Sequence, residues 1–295
     1  MKTNTIFLFL AAFFWAGFVT AQQDPNYLFY RHNMNFVNPA YAGAGETTDF
    51  GINLRSQWSG VDGAPETQSF LFGTYLGGNV GLGATVINDR TFIESQTSVA
   101  IDFSYAVQFS NFSHMYFGLK ASGNSYNANT SGLATFGIVQ DPSLMNIDGG
   151  ITPNFGAGIY YRTRQLSLAF SIPRLFRPKR LEEGDGLARL GRNRMHMYFM
   201  AAYDLDIGKE WILKPSTLLR HVEESPLSMD LTLALEYHGI IELGANYRLD
   251  EGLAGFVLLD FNGNLKIGYG YEGALESSLA NTNSGTHEVF IRFKL

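Results

Sequence analysis

The chain has 295 residues, of which 45% are hydrophobic and only 16% are charged, whereas charged residues make up about 25% of an average soluble domain. Its net charge of −6 argues against nucleic acid as a partner, and the absence of cysteine excludes disulfide bonds and thiolate chemistry. Glycine, tyrosine and phenylalanine are abundant, with 32, 15 and 24 residues.

The first 21 residues predict a secretory signal peptide. Lys2 gives a basic start, residues 6–19 form an apolar run, and the small residue Ala21 precedes a polar stretch. The apolar run is too short to span a bilayer comfortably as a helix. We therefore expect export and cleavage after Ala21.

Residues 22–48 form a second, distinct part of the chain. This stretch is too long for a simple linker and too aromatic for a solvated tail. The aromatic residues are Tyr27, Phe29, Tyr30, Phe36 and Tyr41. These side chains require burial against the rest of the folded protein.

From residue 49 onward the sequence alternates with period two. Leu231, Leu233 and Leu235 share one parity, while Thr232 and Glu236 fall on the other. Such alternation predicts strands with one apolar and one polar face. Fourteen strands are predicted near 49–58, 68–76, 80–88, 92–109, 113–124, 152–162, 165–172, 194–207, 211–220, 227–238, 240–249, 253–261, 264–272 and 286–295.

The connections between these strands differ in length according to their position. Those after even-numbered strands are short and rich in glycine and asparagine, at 77–79, 110–112, 163–164, 208–210, 238–239 and 262–263. Every long connection follows an odd-numbered strand, at about 57–67, 125–151, 173–193 and 273–285. Outer-membrane barrels have short periplasmic turns and long extracellular loops, which gives this split, whereas a soluble sandwich has no reason to obey it.

The final predicted strand has a strictly alternating pattern. Its apolar parity consists of Val289, Ile291, Phe293 and Leu295. Its charged parity includes Glu288, Arg292 and Lys294. An unpaired edge of this kind would recruit other chains, so we expect this strand to pair with the first one and close a barrel. The alternative is the last strand of a soluble sandwich.

The sequence therefore predicts an all-β protein: a closed transmembrane antiparallel β-barrel of about fourteen strands. Its parts are a signal peptide at 1–21, an N-terminal plug or hatch segment at 22–48, and an outer-membrane barrel at 49–295. A wide barrel has a lumen to fill, so residues 22–48 are expected to pack inside it as a plug or short helix. The alternative is a periplasmic extension that docks on the rim.

No pattern in the chain favours catalysis or a cofactor. The six histidines are scattered and form no metal-ligand pair of short spacing, and no Gly-x-Ser-x-Gly elbow occurs. The glycine pairs Gly81/Gly83 and Gly268/Gly270 are interpreted as strand glycines that ease curvature, because no helix pattern follows them. We expect neither a metal nor a cofactor.

The fourth extracellular loop is the most charged stretch of the chain. Its basic residues are Arg174, Arg177, Lys179, Arg180, Arg189, Arg192 and Arg194, with three acidic residues at 182–185 between them. Such a loop could hold lipopolysaccharide phosphates or an acidic partner domain. The alternative is a solvated loop that pairs its own charges.

Several short motifs resemble the PorP/SprF family of Bacteroidota outer-membrane proteins. The first is Asn38-Pro39-Ala40-Tyr41-Ala42-Gly43, preceded by Gln23-Asp24-Pro25. The others, in chain order, are 55–60 with Pro65 and Thr67, 81–83, 214–216, Gly244 with 246–248, 268–271 and 286–288. The resemblance spans the whole mature chain. The Asn-Pro-Ala element is also similar to FadL-like fatty-acid channels, whose barrels have fourteen strands and an N-terminal hatch.

The family resemblance implies a non-enzymatic component of the type IX secretion system in the outer membrane. It further implies export or surface anchoring of secreted proteins, including gliding adhesins, by binding a cargo protein's C-terminal sorting domain. Periplasmic ring lipoproteins of the machine are expected partners, as is outer-membrane lipid. The alternatives are a FadL-like channel for a small hydrophobic or polar solute, and a structural barrel that only docks the periplasmic machine.

Overall fold

The computed structural model describes residues 25–130, 147–176, 194–223, 225–249, 251–274 and 284–295. The predicted signal peptide and most of the charged loop lie outside these residues. The strands are β1 (Asp49–Ser56), β2 (Glu66–Gly77), β3 (Val80–Thr91), β4 (Glu94–Ser110), β5 (Ser113–Ala128), β6 (Ile147–Arg162), β7 (Leu166–Ile172), β8 (His196–Tyr203), β9 (Leu205–Ile207), β10 (Trp211–Val222), β11 (Ser228–Tyr237), β12 (Ile241–Arg248), β13 (Gly252–Phe261), β14 (Leu265–Ala274) and β15 (Thr286–Lys294).

The strands form one closed antiparallel sheet. Each strand pairs with its neighbours in sequence, with β10 taking both β8 and β9 on one side and β11 on the other. Strand β15 then pairs with β1 from Asp49 opposite Lys294 to Ser56 opposite His287. The prediction of a closed, antiparallel all-β barrel of fourteen strands is confirmed.

The predicted strand at 194–207 is interrupted at Asp204. Strands β8 and β9 nevertheless pair with the same edge of β10 in one continuous register. Ser216 lies opposite Ala202, and Trp211 lies opposite Ile207. The Asp204 amide donates a hydrogen bond to the Gln165 carbonyl at 2.8 Å. The interruption is therefore local, and the two pieces together occupy a single position in the barrel.

Side chains alternate between the two faces of the wall. On β11, Leu231, Leu233 and Leu235 are exposed on the outside. Asp230, which precedes Leu231, and Thr232, which follows it, are buried. Other strands repeat this pattern, with exposed apolar residues outside and buried polar or small residues inside. An apolar exterior and a polar interior are what a barrel surrounded by lipid requires.

The two ends of the barrel differ. One end, the short-turn end, carries the connections 78–79, 111–112, 163–165, 208–210, 238–240 and 262–264. The other, the long-loop end, carries 57–65, 92–93, 129–146, 173–195, 223–227, 249–251 and 275–285. By the general rule for such barrels, the short-turn end faces the periplasm and the long-loop end faces the cell exterior.

Strands β5 and β6 reach further toward the long-loop end than predicted. Residues 125–151 were predicted as one loop, yet β5 runs to Ala128 and β6 begins at Ile147. Asn127 lies opposite Asp148, after a register shift between Ser125 and Asn127. These residues are mostly polar and lack the apolar alternation that marks a strand in lipid, which explains the missed extension.

Among the described residues, no helix has the length and apolar character needed to cross a bilayer. The helical content is limited to two short 3₁₀ helices, Met34–Phe36 and Pro39–Tyr41, within the described residues.

A charge placed on the outer face tests the membrane position of the wall. Leu233 lies in the middle of β11 and is 54% exposed. We expect Leu233→Arg to lower the free energy of unfolding in lipid bilayers by about 2–4 kcal/mol, because the guanidinium must enter the hydrocarbon midplane. Denaturant titration of the reconstituted protein measures this change.

The matched control is Leu249→Arg, because Leu249 is also exposed but directly follows β12 at the rim. There the cost is expected to be about 0–1 kcal/mol. Equal losses at the two positions would contradict the proposed placement of the bilayer.

Candidate functional site

Residues 25–48 pack against the inward-facing side of the wall. Leu28, Phe29, Met34, Ala40 and Ala42 are each at most 4% exposed. The buried apolar residues form three clusters with the wall, one on β4–β8 and β10, one on β11, β13 and β15, and one on β2 and β3. We call residues 25–48 the N-terminal segment.

The Asn-Pro-Ala motif begins the second 3₁₀ helix. The Asn38 side chain accepts a hydrogen bond from the Ala40 amide at 2.9 Å, which caps the helix, and Pro39 occupies its first position. The same side chain donates through Nδ2 to the Ile159 carbonyl of β6 at 3.0 Å. Asn38 therefore shapes the turn and attaches it to the wall at once.

Three wall glycines allow this turn to approach the strands closely. A Cβ added to Gly118 would collide with the backbone of Ala40, and one added to Gly158 would collide with the Asn38 amide. A Cβ on Gly81 would collide with the Ala42 carbonyl. Each glycine lies on the inner face of its strand, so any larger residue would push the motif away from the wall.

Ala42 and Gly43 also contact the wall beside this turn. Ser104 on β4 donates to the Ala42 carbonyl at 2.5 Å. Gly43 has a φ of +67°, and a Cβ there would lie 2.7 Å from both the Gly81 Cα and the Thr74 carbonyl oxygen. Glycine is required here for both backbone conformation and space.

The other half of the N-terminal segment packs on β13–β15. The Phe29 ring lies 5.4 Å from the Phe290 ring and 5.3 Å from the Phe256 ring, centroid to centroid. A Cβ on Gly268 would lie 2.7 Å from the Phe29 ring, and one on Gly270 would collide with Leu28. These glycines were interpreted as easing strand curvature; they also provide the space for the N-terminal segment.

Glu288 on β15 joins the wall to the N-terminal segment. It is 1% exposed, and its carboxylate accepts hydrogen bonds from the Leu28 and Phe29 amides at 2.9 and 3.3 Å. It also accepts from Asn53 at 2.8 Å and pairs with Arg55 at 3.1 Å. A buried carboxylate is tolerated here because four donors satisfy it.

A continuous ion-pair network extends from Glu288 along the inner wall. Arg55 pairs with Glu272 at 3.1 Å, and Glu272 pairs with Arg248 at 3.0 Å. Arg248 in turn pairs with Asp230 at 2.8 Å. These charges alternate in sign across β1, β14, β12 and β11, so each has an oppositely charged partner.

A second group of charges surrounds His32. Its Nε2 lies 3.3 Å from the Glu242 carboxylate, which also pairs with Lys214 at 2.8 Å. Arg292 donates to the His32 carbonyl at 2.7 Å and pairs with Asp49 at 2.5 Å. Glu242 on β12 and Arg292 on β15 thus both contact His32 of the N-terminal segment.

Further polar contacts reach other strands. The Tyr30 hydroxyl lies 2.9 Å from the Ser216 hydroxyl, and the Tyr27 hydroxyl lies 2.8 Å from that of Ser69. Arg31 pairs with Asp204 at the interruption between β8 and β9. The N-terminal segment is therefore bonded to strands on opposite sides of the barrel.

The predicted loop residues are only partly described. Arg174 and Arg194 lie at the long-loop end, and Arg194 donates to the Ser225 hydroxyl at 2.9 Å. The other predicted contacts, which are Arg177, Lys179, Arg180, Arg189 and Arg192, lie outside the described residues. The site residues of the closing strand, Val289, Ile291 and Phe293, face outward on β15, and the Leu295 amide donates to the Thr48 carbonyl at 2.8 Å.

Sequence reasoning missed several residues of the interior. It did not identify Glu272 and Asp230 as partners of Arg248, or Gly118 and Gly158 as contacts of the motif. The alternation in the sequence indicates which of these residues face inward. Which of them contact each other is set by the register between strands. Within the described part of the chain, no group of three or more histidine or acidic side chains is arranged to bind a metal ion.

Comparison with known proteins settles the family. A family described as type IX secretion system membrane protein PorP/SprF matches residues 19–293. The chain belongs to the PorP/SprF family. No curated protein matches it significantly. Together with the closed barrel and its apolar exterior, membership of a membrane-protein family places the chain in the outer membrane.

Solved outer-membrane barrels are similar to the chain at low identity. The toluene transporter TbuX from Ralstonia pickettii is 12% identical, with a TM-score of 0.48, and the match covers 87% of this chain and 91% of that one. Omp33 from Acinetobacter baumannii is 11% identical, also with a TM-score of 0.48, over 85% of this chain and 100% of that one.

The motifs that carry the PorP/SprF resemblance meet in this interior. The Asn-Pro-Ala-Tyr-Ala-Gly motif lies against Gly81, which is part of the Gly-Leu-Gly motif. Arg55 pairs with Glu288, which joins the motifs at 55–60 and 286–288. Gly268 and Gly270 lie against Phe29 and Leu28 of the N-terminal segment. Motifs that are far apart in sequence therefore contact each other inside the folded protein.

Enlarging a wall glycine tests the contact with the motif. We expect Gly158→Ala to lower the free energy of unfolding by about 1–3 kcal/mol, because the new methyl group overpacks the Asn38 turn. The matched control is Gly255→Ala on the outer face, where the nearest atom to an added Cβ is the Gly244 carbonyl oxygen at 3.9 Å. Chemical denaturation of both variants gives the comparison, and equal stability would contradict the described packing.

Removing the Glu288 carboxylate tests the junction between wall and segment. We expect Glu288→Ala to cost about 1–3 kcal/mol of unfolding free energy, because buried donors lose their acceptor while Arg55 keeps Glu272 as its partner. We also expect faster proteolysis within residues 25–33, since two amides lose their acceptor. Denaturant titration and limited proteolysis of the purified barrel measure the two effects.

Glu210→Ala is the control, because Glu210 forms an exposed pair with His238 at 3.4 Å. Its cost should stay within about 0.5 kcal/mol. A loss at Glu288 no larger than the loss at Glu210 would refute the role given to the buried carboxylate.

Proposed function

We propose that this protein is a non-catalytic outer-membrane subunit of the type IX secretion system that binds a secreted protein at its long-loop end. Its bound partner is a cargo protein, recognised through its C-terminal sorting domain, which is thereby exported or anchored at the cell surface. Membership of the PorP/SprF family supports the assignment to the secretion system. The occupied interior supports binding rather than conduction.

The N-terminal segment acts in this proposal as a plug. Its contacts with Glu288, Glu242, Ser216 and Ser69 reach widely separated strands of the wall. Many charged groups of the interior that the structure describes pair with each other or with the segment, as Arg55 does with Glu288 and Glu242 does with His32. A barrel filled in this way offers a rigid frame for its loops.

The long-loop end supplies the candidate surface for cargo. Arg174 and Arg194 lie there, at the two ends of the charged connection 173–195. Beside them Leu175 and Phe176 are exposed, and the Leu175 amide donates to the Phe155 carbonyl at 2.7 Å. Exposed apolar side chains next to arginines form a surface that suits a folded protein partner.

The short-turn end supplies the candidate surface for the periplasmic ring lipoproteins. Arg164 in the β6–β7 turn lies over the Phe112 ring of the β4–β5 turn, at 3.3 Å from the ring centroid. Phe112 is exposed, so this pair links two neighbouring turns at the surface. In the proposal, this end docks the machine while the opposite end binds cargo.

The test is affinity purification of the tagged protein from its native outer membrane in mild detergent. We expect a large secreted protein with a C-terminal sorting domain to be recovered in stoichiometric amount. Arg174→Glu combined with Arg194→Glu should reduce that recovery, because charge reversal opposes the interface. The control variant is Lys209→Glu, which reverses a single charge in a short turn.

The outcomes separate the alternatives. Recovery of ring lipoproteins without cargo would contradict cargo binding and favour a structural barrel that only docks the periplasmic machine. Recovery of the barrel without any partner would contradict the proposal and favour a FadL-like channel for a small solute, in which the N-terminal segment must move to open a path. Loss of cargo in the Lys209 control as well would show that the loop arginines are not the contact.

A further inference from the structure

The two ends of the N-terminal segment lie at opposite ends of the barrel. Thr48 lies at the short-turn end, where its carbonyl accepts from the Leu295 amide at 2.8 Å and its hydroxyl lies 2.7 Å from that of Thr74. Asn26 lies at the long-loop end, where its side chain donates to Glu251 at 3.5 Å. Glu251 belongs to the connection 249–251 between β12 and β13.

The first residues of the segment contact the wall at positions progressively closer to the short-turn end. The Leu28 amide contacts Glu288, close to the long-loop end of β15. Four residues later, the His32 carbonyl contacts Arg292, close to the short-turn end of the same strand. Between Asn26 and His32 the chain therefore descends along β15, away from the long loops.

The rest of the N-terminal segment stays near the short-turn end and crosses to the opposite wall. The Ala44 carbonyl accepts from Arg162, the last residue of β6, at 3.1 Å. Ala42 lies against Gly81, the second residue of β3. The segment then enters β1 at Asp49, beside the last residue of β15.

We infer that the N-terminal segment traverses the barrel completely, so that Pro25 and Asn26 lie at the cell-surface end. A hatch that enters and leaves by the periplasmic mouth would instead bring both of its ends to the short turns. In the traversing arrangement the beginning of the segment lies beside the long loops, where an extracellular protein meets it. The contact between Asn26 and Glu251 marks the point of exit.

Because the chain contains no cysteine, single-cysteine labelling tests the inference cleanly. The probe is a polyethylene glycol maleimide too large to cross the outer membrane, applied to intact cells. We expect Asn26→Cys to be labelled in intact cells to the same extent as after permeabilisation. Labelling of Asn26→Cys only after permeabilisation would overturn the inference.

Two controls calibrate the labelling. Asp62→Cys, exposed in the connection 57–65, should be labelled on intact cells. Lys209→Cys, exposed in the short turn 208–210, should be labelled only after permeabilisation. Each replaces an exposed polar residue outside the packed interior, so neither should affect folding.

A second readout removes dependence on thiol reactivity at residue 26. An epitope tag inserted between Asp24 and Pro25 should bind its antibody on intact cells. Antibody binding only after permeabilisation would overturn the inference independently of the cysteine result. Neither experiment requires a cargo protein, so their failure would leave the secretion proposal standing, and absence of cargo would leave the path of the segment standing.

Discussion

The pairing of β15 with β1 is the constraint on which the rest of the molecule depends. In hydrocarbon, an unpaired strand edge leaves amides and carbonyls without partners, and each costs several kcal/mol, on the order of a lost hydrogen bond in an apolar medium. Eight residue pairs between Asp49 and Ser56 on β1 and their partners on β15 remove that edge. Closure in turn creates an interior that lipid cannot fill.

Two kinds of contact join the N-terminal segment to the inner wall. On the β3–β6 side, Gly81, Gly118 and Gly158 let the main chain of the Asn-Pro-Ala turn touch the wall. On the β11–β15 side, Glu288 and Glu242 take donors from the N-terminal segment within a network of alternating charges. Close main-chain packing fixes the position of the turn, while the charged contacts fix the orientation of the preceding residues.

Much of the fold follows from local sequence. The alternation of Leu231, Leu233 and Leu235 with polar neighbours marks a strand, and the split between short and long connections gives the barrel's direction. The interruption at Asp204 was not predictable, because Tyr203, Asp204 and Leu205 continue the alternation. Its cause lies in tertiary contacts, with Gln165 on the adjacent turn and with Arg31 from the N-terminal segment.

The candidate site was predictable only in part. The aromatic residues of 22–48 indicate burial, and the inward parity of Arg55, Arg248 and Glu288 indicates a polar lumen. The partners of those charges depend on register between strands that are far apart in sequence, as Arg55 and Glu288 show. Gly118 and Gly158 look like ordinary strand glycines until the turn that contacts them is placed.

A covalent link to the wall tests whether the N-terminal segment lies inside the lumen. A Cβ on Gly83 would lie 3.0 Å from the Ala42 Cβ, near the spacing of about 3.5–4.5 Å found in disulfides. The experiment oxidises Ala42→Cys/Gly83→Cys in the native outer membrane, denatures it without reductant, and counts reactive thiols. We expect no reactive thiol in the double variant and one in each single variant. Two reactive thiols in the double variant would contradict this placement of the segment.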